Sequence, residues 1–233
     1  MSTKPMIALV HAIPDSMPAA ISAFRADWPE ADLVNIVDES LFLNLTSGTS
    51  IRQAVVERFG ALTEFALGPG TDGRRPDALL FCCSAFAYAI EQARAGRKVP
   101  ILTPAEAGIE DALECGNRIG LVVSAEAALP PLLDEFAEVA RARNQRYELV
   151  PIIAKGAIEA LRDGRPEEHD KIVAKAIDSA PDTDVVLMGQ FTMSRAAAVI
   201  SHNARRPVLT TPGSAVRKIR SLLAKAPPVS AAA

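Results

Sequence analysis

The feature that most constrains this chain is that it repeats itself at a spacing of about half its length. MIALVHAIPDSMPAAISAF at 6–24 is echoed by RIGLVVSAEAALPPLLDEF at 118–136, each reading as strand, loop, proline and amphipathic helix. PDALLFCCSAF from Pro76 is echoed by TDVVLMGQFTM from Thr183, and VPILTPAEA from Val99 by RPVLTTPGSA from Arg206. Through these later segments the register is constant: Asp77 and Asp184, Cys83 and Gln190, and Pro100 and Pro207 each stand 107 residues apart. A unit this long is a similar half or domain, whereas a solenoid stacks three or more short repeats.

Within each unit, short apolar runs alternate with longer helical patterns, which predicts βαβ units and a mostly parallel sheet. Strands are expected at Met6–Val10, Leu33–Val37, Ala78–Phe81, Ile101–Leu102, Ile119–Val123, Glu148–Ile153, Val185–Met188 and Val208–Leu209, in two sets of four. Between 51 and 67, Ile51, Val55, Phe59, Leu62 and Phe65 recur at spacings of three and four, a helix with one face on a sheet. Segments 127–143 and 167–179 read the same way, and Gly70, Gly73 and the arginines before Pro76 mark an exposed turn. The fold expected is α/β, with two halves related by a pseudo-twofold axis and a cleft between them. The first half spans 1–103, with 211–233 packing back on it, and the second spans 104–210.

Composition narrows the function. With 233 residues, 49% hydrophobic, and mean hydropathy +0.15, the chain can bury its core without disulfides or metals. The 25 Lys+Arg balance 28 Asp+Glu and are scattered, so nucleic acid is not an expected partner. Three cysteines cannot all pair, and Cys82 and Cys83 are adjacent, which implies free thiols and a reducing compartment. No apolar run reaches the roughly 20 residues that span a bilayer, and the first is too short for a signal segment, so a cytoplasmic location and no membrane partner are expected. The tail KAPPVSAAA reads as frayed. No GxGxxG, P-loop, HExxH or CxxC spacing supports a nucleotide, zinc or redox site. A homo-oligomer is compatible with all of this.

The repeat also selects candidate site residues. If equivalent strand ends face each other, Cys83 meets Gln190 across the interface, where the carboxyl ends of strands carry ligand sites. Cys83 ends an apolar strand and precedes Ser84 and a helix N-terminus, a setting that lowers a thiol pKa; it also reads as a small buried hydrophobe. Cys82 points to the other face and reads as packing, and Cys115 has no assigned role. Gln190, Phe191 and Thr192 could hold a carboxylate or oxyanion, or simply cap their loop. His11 and Ser16 follow the first strand and Ser124 follows its echo, and a histidine beside a thiol can activate it. His169 and His202 read as solvated. Asp38 and Glu39 close the second strand, where capping outweighs substrate positioning.

At these residues the chain resembles the aspartate/glutamate racemase superfamily, with its hydantoin racemases, maleate isomerases and arylmalonate decarboxylases. The resemblance covers nearly the whole chain. It rests on the duplication, on Asp77 with the strand ending in Cys83-Ser84, on Val99-Pro100-Ile101, on Asp184 with its strand and Gln190, and on NIVDESL at 35–41. It implies Rossmann-like halves, no organic cofactor, no metal, and a small carboxylate substrate held between two strand-end loops. Racemases of this type carry a cysteine at each strand end. Here the second position is Gln190, an amide that cannot act as a base. The chemistry expected is therefore that of one thiol, Cys83, in a racemase- or isomerase-like enzyme. A decarboxylase, or a carboxylate-binding protein without turnover, is the alternative.

Overall fold

The computed structural model describes residues 4–43, 49–200 and 206–225; His202 and the tail from Ala226 lie outside them. The eight apolar runs form two separate four-stranded sheets. In the first, β1 (Met6–His11), β2 (Asp32–Val37), β3 (Ala78–Phe81) and β4 (Ile101–Leu102) lie in the order β2-β1-β3-β4. In the second, β5 (Arg118–Val123), β6 (Glu148–Ile153), β7 (Val185–Met188) and β8 (Val208–Thr210) lie in the order β6-β5-β7-β8. Every neighbouring pair is parallel, so the fold is the α/β arrangement expected. β1, β3 and β7 are buried along their whole length because helices cover both faces, which is why they read as unbroken apolar runs.

The helices are α1 (Ser16–Asp27), α2 (Ser40–Leu43), α3 (Thr49–Ala66), α4 (Ala87–Arg94), α5 (Glu106–Cys115), α6 (Leu129–Ala142), α7 (Ala157–Arg162), α8 (Pro166–Asp178) and α9 (Thr211–Lys225). Alternation along β1 and β3 sends Ala8, Val10, Leu79 and Phe81 toward Phe59, Leu62 and Ile90 of α3 and α4. Phe59 lies 5.1 Å, centroid to centroid, from both Phe81 and Phe86. The other face, Ile7, Leu9, Ala78 and Leu80, packs on Phe24 of α1, on Trp28 just beyond its end, and on Val216 and Ile219 of α9. The helix after the last strand thus joins the core of the first sheet. Reciprocally, Ile109, Ala112 and Leu113 of α5, the helix after β4, pack with Ile119, Leu121, Val185 and Leu187 of the second. Each sheet borrows the other's terminal helix. The two helices also grip each other, with Arg217 2.7 Å from Asp111 and Lys218 2.8 Å from Glu110.

Repeated residues do repeated jobs. Thr103 Oγ1 accepts from the Glu106 N–H (3.1 Å) at the start of α5, and Thr210 Oγ1 accepts from the Gly213 N–H (3.3 Å) at the start of α9. The Asp77 carboxylate accepts from the Met6 N–H at 2.8 Å, and that of Asp184 from the N–H groups of Asn117 and Arg118 at 2.9 and 2.8 Å. Each aspartate pins the strand next to its own. The two Asp184 bonds hold its carboxyl below the usual range.

Two expectations about side chains are corrected. Phe65 does not face the sheet and is 73% exposed, because the buried stripe of α3 runs Val55, Phe59, Leu62, Ala66. His169 is not solvated: it shares the inner face of α8 with Val173 and Ile177 and is fully buried. Its Nδ1 lies 2.8 Å from Asp170 Oδ1, and that carboxylate receives Arg195 Nε at 2.8 Å. The turn at 70–74 forms as expected, with Gly73 at φ +78° and the Gly70 N–H on the Arg74 carbonyl (2.8 Å).

Candidate active site

β3 and β7 end alike. Two residues beyond each, Cys83 (φ −130°, ψ 118°) and Gln190 (φ −131°, ψ 142°) continue the extended backbone into a 3₁₀ turn, 84–86 and 191–198. A cavity of about 480 Å³ lies between these loops. Cys83, Ser84, Gln190, Phe191, Thr192, Ser16 and Ser124 all line it. The rule that strand carboxyl ends carry the site therefore gathers seven of the eight residues singled out from sequence.

His11 is the eighth, and it stands one step back. It is fully buried, with Nδ1 2.7 Å from Ser16 Oγ and Nε2 3.1 Å from Asn35 Oδ1. Burial lowers its pKa, partly offset by the Asn35 bond. Among the described residues those are its ring partners, so the expectation that it activates a thiol directly is not met.

The thiol itself departs from the sequence reading. Although Cys83 keeps partial exposure to the cavity, burial pushes its pKa up to about 11, with only the Ala85 N–H opposing the rise. The depressed value expected relied on a helix N-terminus, and here a three-residue turn intervenes before α4 begins at Ala87. Desolvation wins, and Cys83 carries its proton at neutral pH. Cys82 is buried among Ile7, Leu9, Leu80 and Leu102, as the packing role requires, and also reaches the cavity wall. Burial raises its pKa further. Cys115 is exposed at the end of α5.

Gln190 is anchored rather than free. Its Oε1 accepts from both the backbone N–H (2.8 Å) and the hydroxyl (2.9 Å) of Ser124, so the carboxamide bridges the β5 and β7 loops. The NH2 group is what remains for a ligand. Phe191, next in sequence, inserts into the core of the first sheet and ties this loop across the cleft. Asp38 accepts from the Ser40 N–H (3.2 Å) and from Arg58 Nε (2.7 Å), and the guanidinium holds its carboxyl below the usual range. It caps α2.

Sequence reading missed the lining charges Glu159 and Arg162, one turn apart on α7. The available signal was position: α7 starts just beyond the carboxyl end of β6, at the cavity's end of the sheet. No group of three or more His, Cys, Asp or Glu among the described residues could hold a metal ion, and no described helix is long and apolar enough to cross a membrane.

Solved structures share this architecture. Glutamate racemase from Francisella tularensis subsp. tularensis SCHU S4, in complex with D-glutamate, superposes with a TM-score of 0.64 at 14% identity, over 95% of this chain and 82% of that one. Allantoin racemase from Pseudomonas fluorescens gives 0.67 at 16% identity, over 94% and 91%. A mutant of arylmalonate decarboxylase in its sulfate-associated form gives 0.60 at 14% identity, over 98% and 97%. At such identities the likeness is one of fold. No curated protein matches the sequence. The family model described as Asp/Glu/Hydantoin racemase matches residues 21–219, a span that holds both strand-end loops, α5 and the start of α9, and the chain belongs to that family.

Proposed function

We propose that the chain is a racemase- or isomerase-like enzyme acting on a small carboxylate, an amino acid or dicarboxylate, without an organic cofactor and through one cleft thiol, Cys83. The observation that carries this reading is the cavity itself: it brings Cys83 together with hydroxyl, amide and guanidinium donors suited to an anion. Arg162 supplies a cation for a carboxylate, and Ser84, Ser124, Thr192 and the Gln190 NH2 supply hydrogen bonds that can also bear charge developing on an enolate. A solved relative in complex with D-glutamate supports the substrate class.

A thiol held at about 11 starts the reaction as a proton donor. That state favours, as a second reading, one-sided protonation of a carbanion, the chemistry of a decarboxylase. Both readings share a test. Aspartate, glutamate, allantoin, maleate and an arylmalonate are incubated with the protein in deuterium oxide, following carbon-bound exchange by proton NMR and chirality by chromatography. Turnover of at least one is expected, with Cys83→Ser reducing it about 10²- to 10⁴-fold without changing the far-UV spectrum. A Cys83→Ser protein as active as wild type would overturn the assignment.

A further inference from the structure

A two-faced proton transfer needs a second acid/base group, and Gln190 cannot be it. One candidate stands at the cavity wall. Ser16, the first residue of α1, lines the cavity while only 2% exposed. Its hydroxyl has two neighbours it can serve only alternately: His11 Nδ1 at 2.7 Å and the Ile13 carbonyl at 3.0 Å. A hydroxyl has one proton. With His11 neutral and its Nε2–H donating to Asn35 Oδ1, Nδ1 is a bare lone pair that accepts the Ser16 proton. With His11 protonated, Nδ1–H donates to Ser16 Oγ and the hydroxyl turns to Ile13. Both arrangements satisfy every group without moving a heavy atom, which is the property a proton relay requires.

We propose that Ser16, backed by His11 and Asn35, is the second proton-handling group of the cleft. The inference rests on the reading that carbon-bound protons are exchanged there. In the forward step the Ser16 oxygen takes the proton from the substrate's carbon as its own O–H proton passes to His11 Nδ1. The carbon keeps the electron pair of the broken C–H bond, and the ring becomes imidazolium, with Nε2–H on Asn35. In reverse, Nδ1–H returns through the hydroxyl to the carbon. Ser16 is thus the catalytic residue, and His11 and Asn35 are positioning residues that act through it. The resting states are complementary, since Cys83 holds its proton and burial keeps His11 neutral. The ionisable groups on the elements around His11 are Asp32, Asp38 and Glu39 of the β2 segment, Asp77, Cys82 and Cys83 flanking β3, Asp15, Arg25 and Asp27 at α1, and Arg52, Glu57, Arg58 and Glu64 of α3. None hydrogen-bonds its ring.

The test uses Asn35, which lies exposed on β2. Asn35→Asp places an anion on Nε2, so the His11 pKa rises and the acid limb of the kcat/KM profile moves up by about one pH unit or more. Nitrogen-15 NMR of the ring should report the Nε2–H tautomer in wild type and the same upward displacement in the variant. Ser16→Ala should cut kcat about 10²- to 10⁴-fold with KM little changed. The relay alone is overturned by a neutral Nδ1–H tautomer, by an acid limb that stays put while the ring titration moves, or by full turnover in a folded Ser16→Ala. Absence of carbon-bound exchange in wild type with every substrate tried removes the functional reading and the relay together.

Discussion

Glu135 offers a quantitative check on the buried contact between the halves. It lies on α6, is 6% exposed, and accepts from Thr103 Oγ1 through Oε1, while Oε2 has no partner among the described residues. Burial pushes its carboxyl from 4.5 to about 7; Thr103 and Arg94 resist the shift, and Glu106 and Glu91 add to it. Between those two values the unfolded chain has released a proton that the folded chain retains, so wild-type stability falls as pH rises and levels off above about 7. At about 1.36 kcal/mol for each tenfold change in proton affinity, the loss is about 3 kcal/mol. Glu135→Gln keeps an acceptor for Thr103 and removes the titration. Its amide brings an unpartnered donor to the Oε2 position, a cost of about 1 to 3 kcal/mol that does not vary with pH. The absolute stability of the variant is therefore a poor readout, and its difference from wild type is a good one. Urea unfolding followed by circular dichroism from about pH 4.5 to about pH 8 should show that difference moving by about 3 kcal/mol in favour of glutamine. Parallel stability curves for the two proteins would refute the argument, because they would mean that Glu135 ionises as easily folded as unfolded.

Two further outcomes follow from the repeat. A Cβ at Gly116 would lie 2.3 Å from the Asp184 Cβ, so Gly116→Ala should displace the carboxylate that holds the N–H groups of Asn117 and Arg118. A loss of about 2 to 4 kcal/mol in chemical denaturation is expected, and a loss under 1 kcal/mol would show that β5 is not pinned there. Gln190→Cys restores a thiol at the second strand end but leaves the buried Ser124 N–H without its acceptor, so it should gain inversion on an amino acid while losing about 1 to 3 kcal/mol of stability. Unchanged stability in a thermal melt would mean that the bridge does not hold the loop.

β1, β3 and β7 were legible because burial on both faces makes a parallel strand an apolar run, and the repeat supplied the pairing of Cys83 with Gln190. Other features had no local signal. An amphipathic helix does not state which sheet it covers, so the pattern of α5 or α9 alone is silent on their exchange; it was the half boundaries set by the repeat, 1–103 with 211–233 and 104–210, that put each helix with the sheet it covers. The Cys83 thiol illustrates a second limit: helix dipole and desolvation act in opposite directions, and which is larger depends on atoms brought from α6 and the β7 loop. Arg162 was hidden because a six-residue helix has too little periodicity to orient. His169 is different, since its spacing from Val173 and Ile177 placed it on the buried stripe of α8, and only its polarity argued otherwise.

The halves are alike in structure and unequal in chemistry. Thr103 and Thr210 cap alike, Asp77 and Asp184 pin alike, and both loops leave their sheets in extended backbone. What differs is what each loop does with its polar side chain. In the second half Gln190 is committed to Ser124, an arrangement that rigidifies the loop and places no titratable proton in the cleft. In the first half the thiol makes no such bridge, and at the cavity wall the Ser16 hydroxyl sits against a buried histidine whose far nitrogen is fixed by Asn35. If inversion of a carbon centre occurs here, both proton-handling groups come from the first half, and the two faces of the substrate must be reached from Cys83 at the end of β3 and from Ser16 at the start of α1. The second half then serves as the rigid wall that orients the carboxylate, through Arg162, Ser124 and the Gln190 amide, which is a division of labour that a pair of equivalent cysteines would not need.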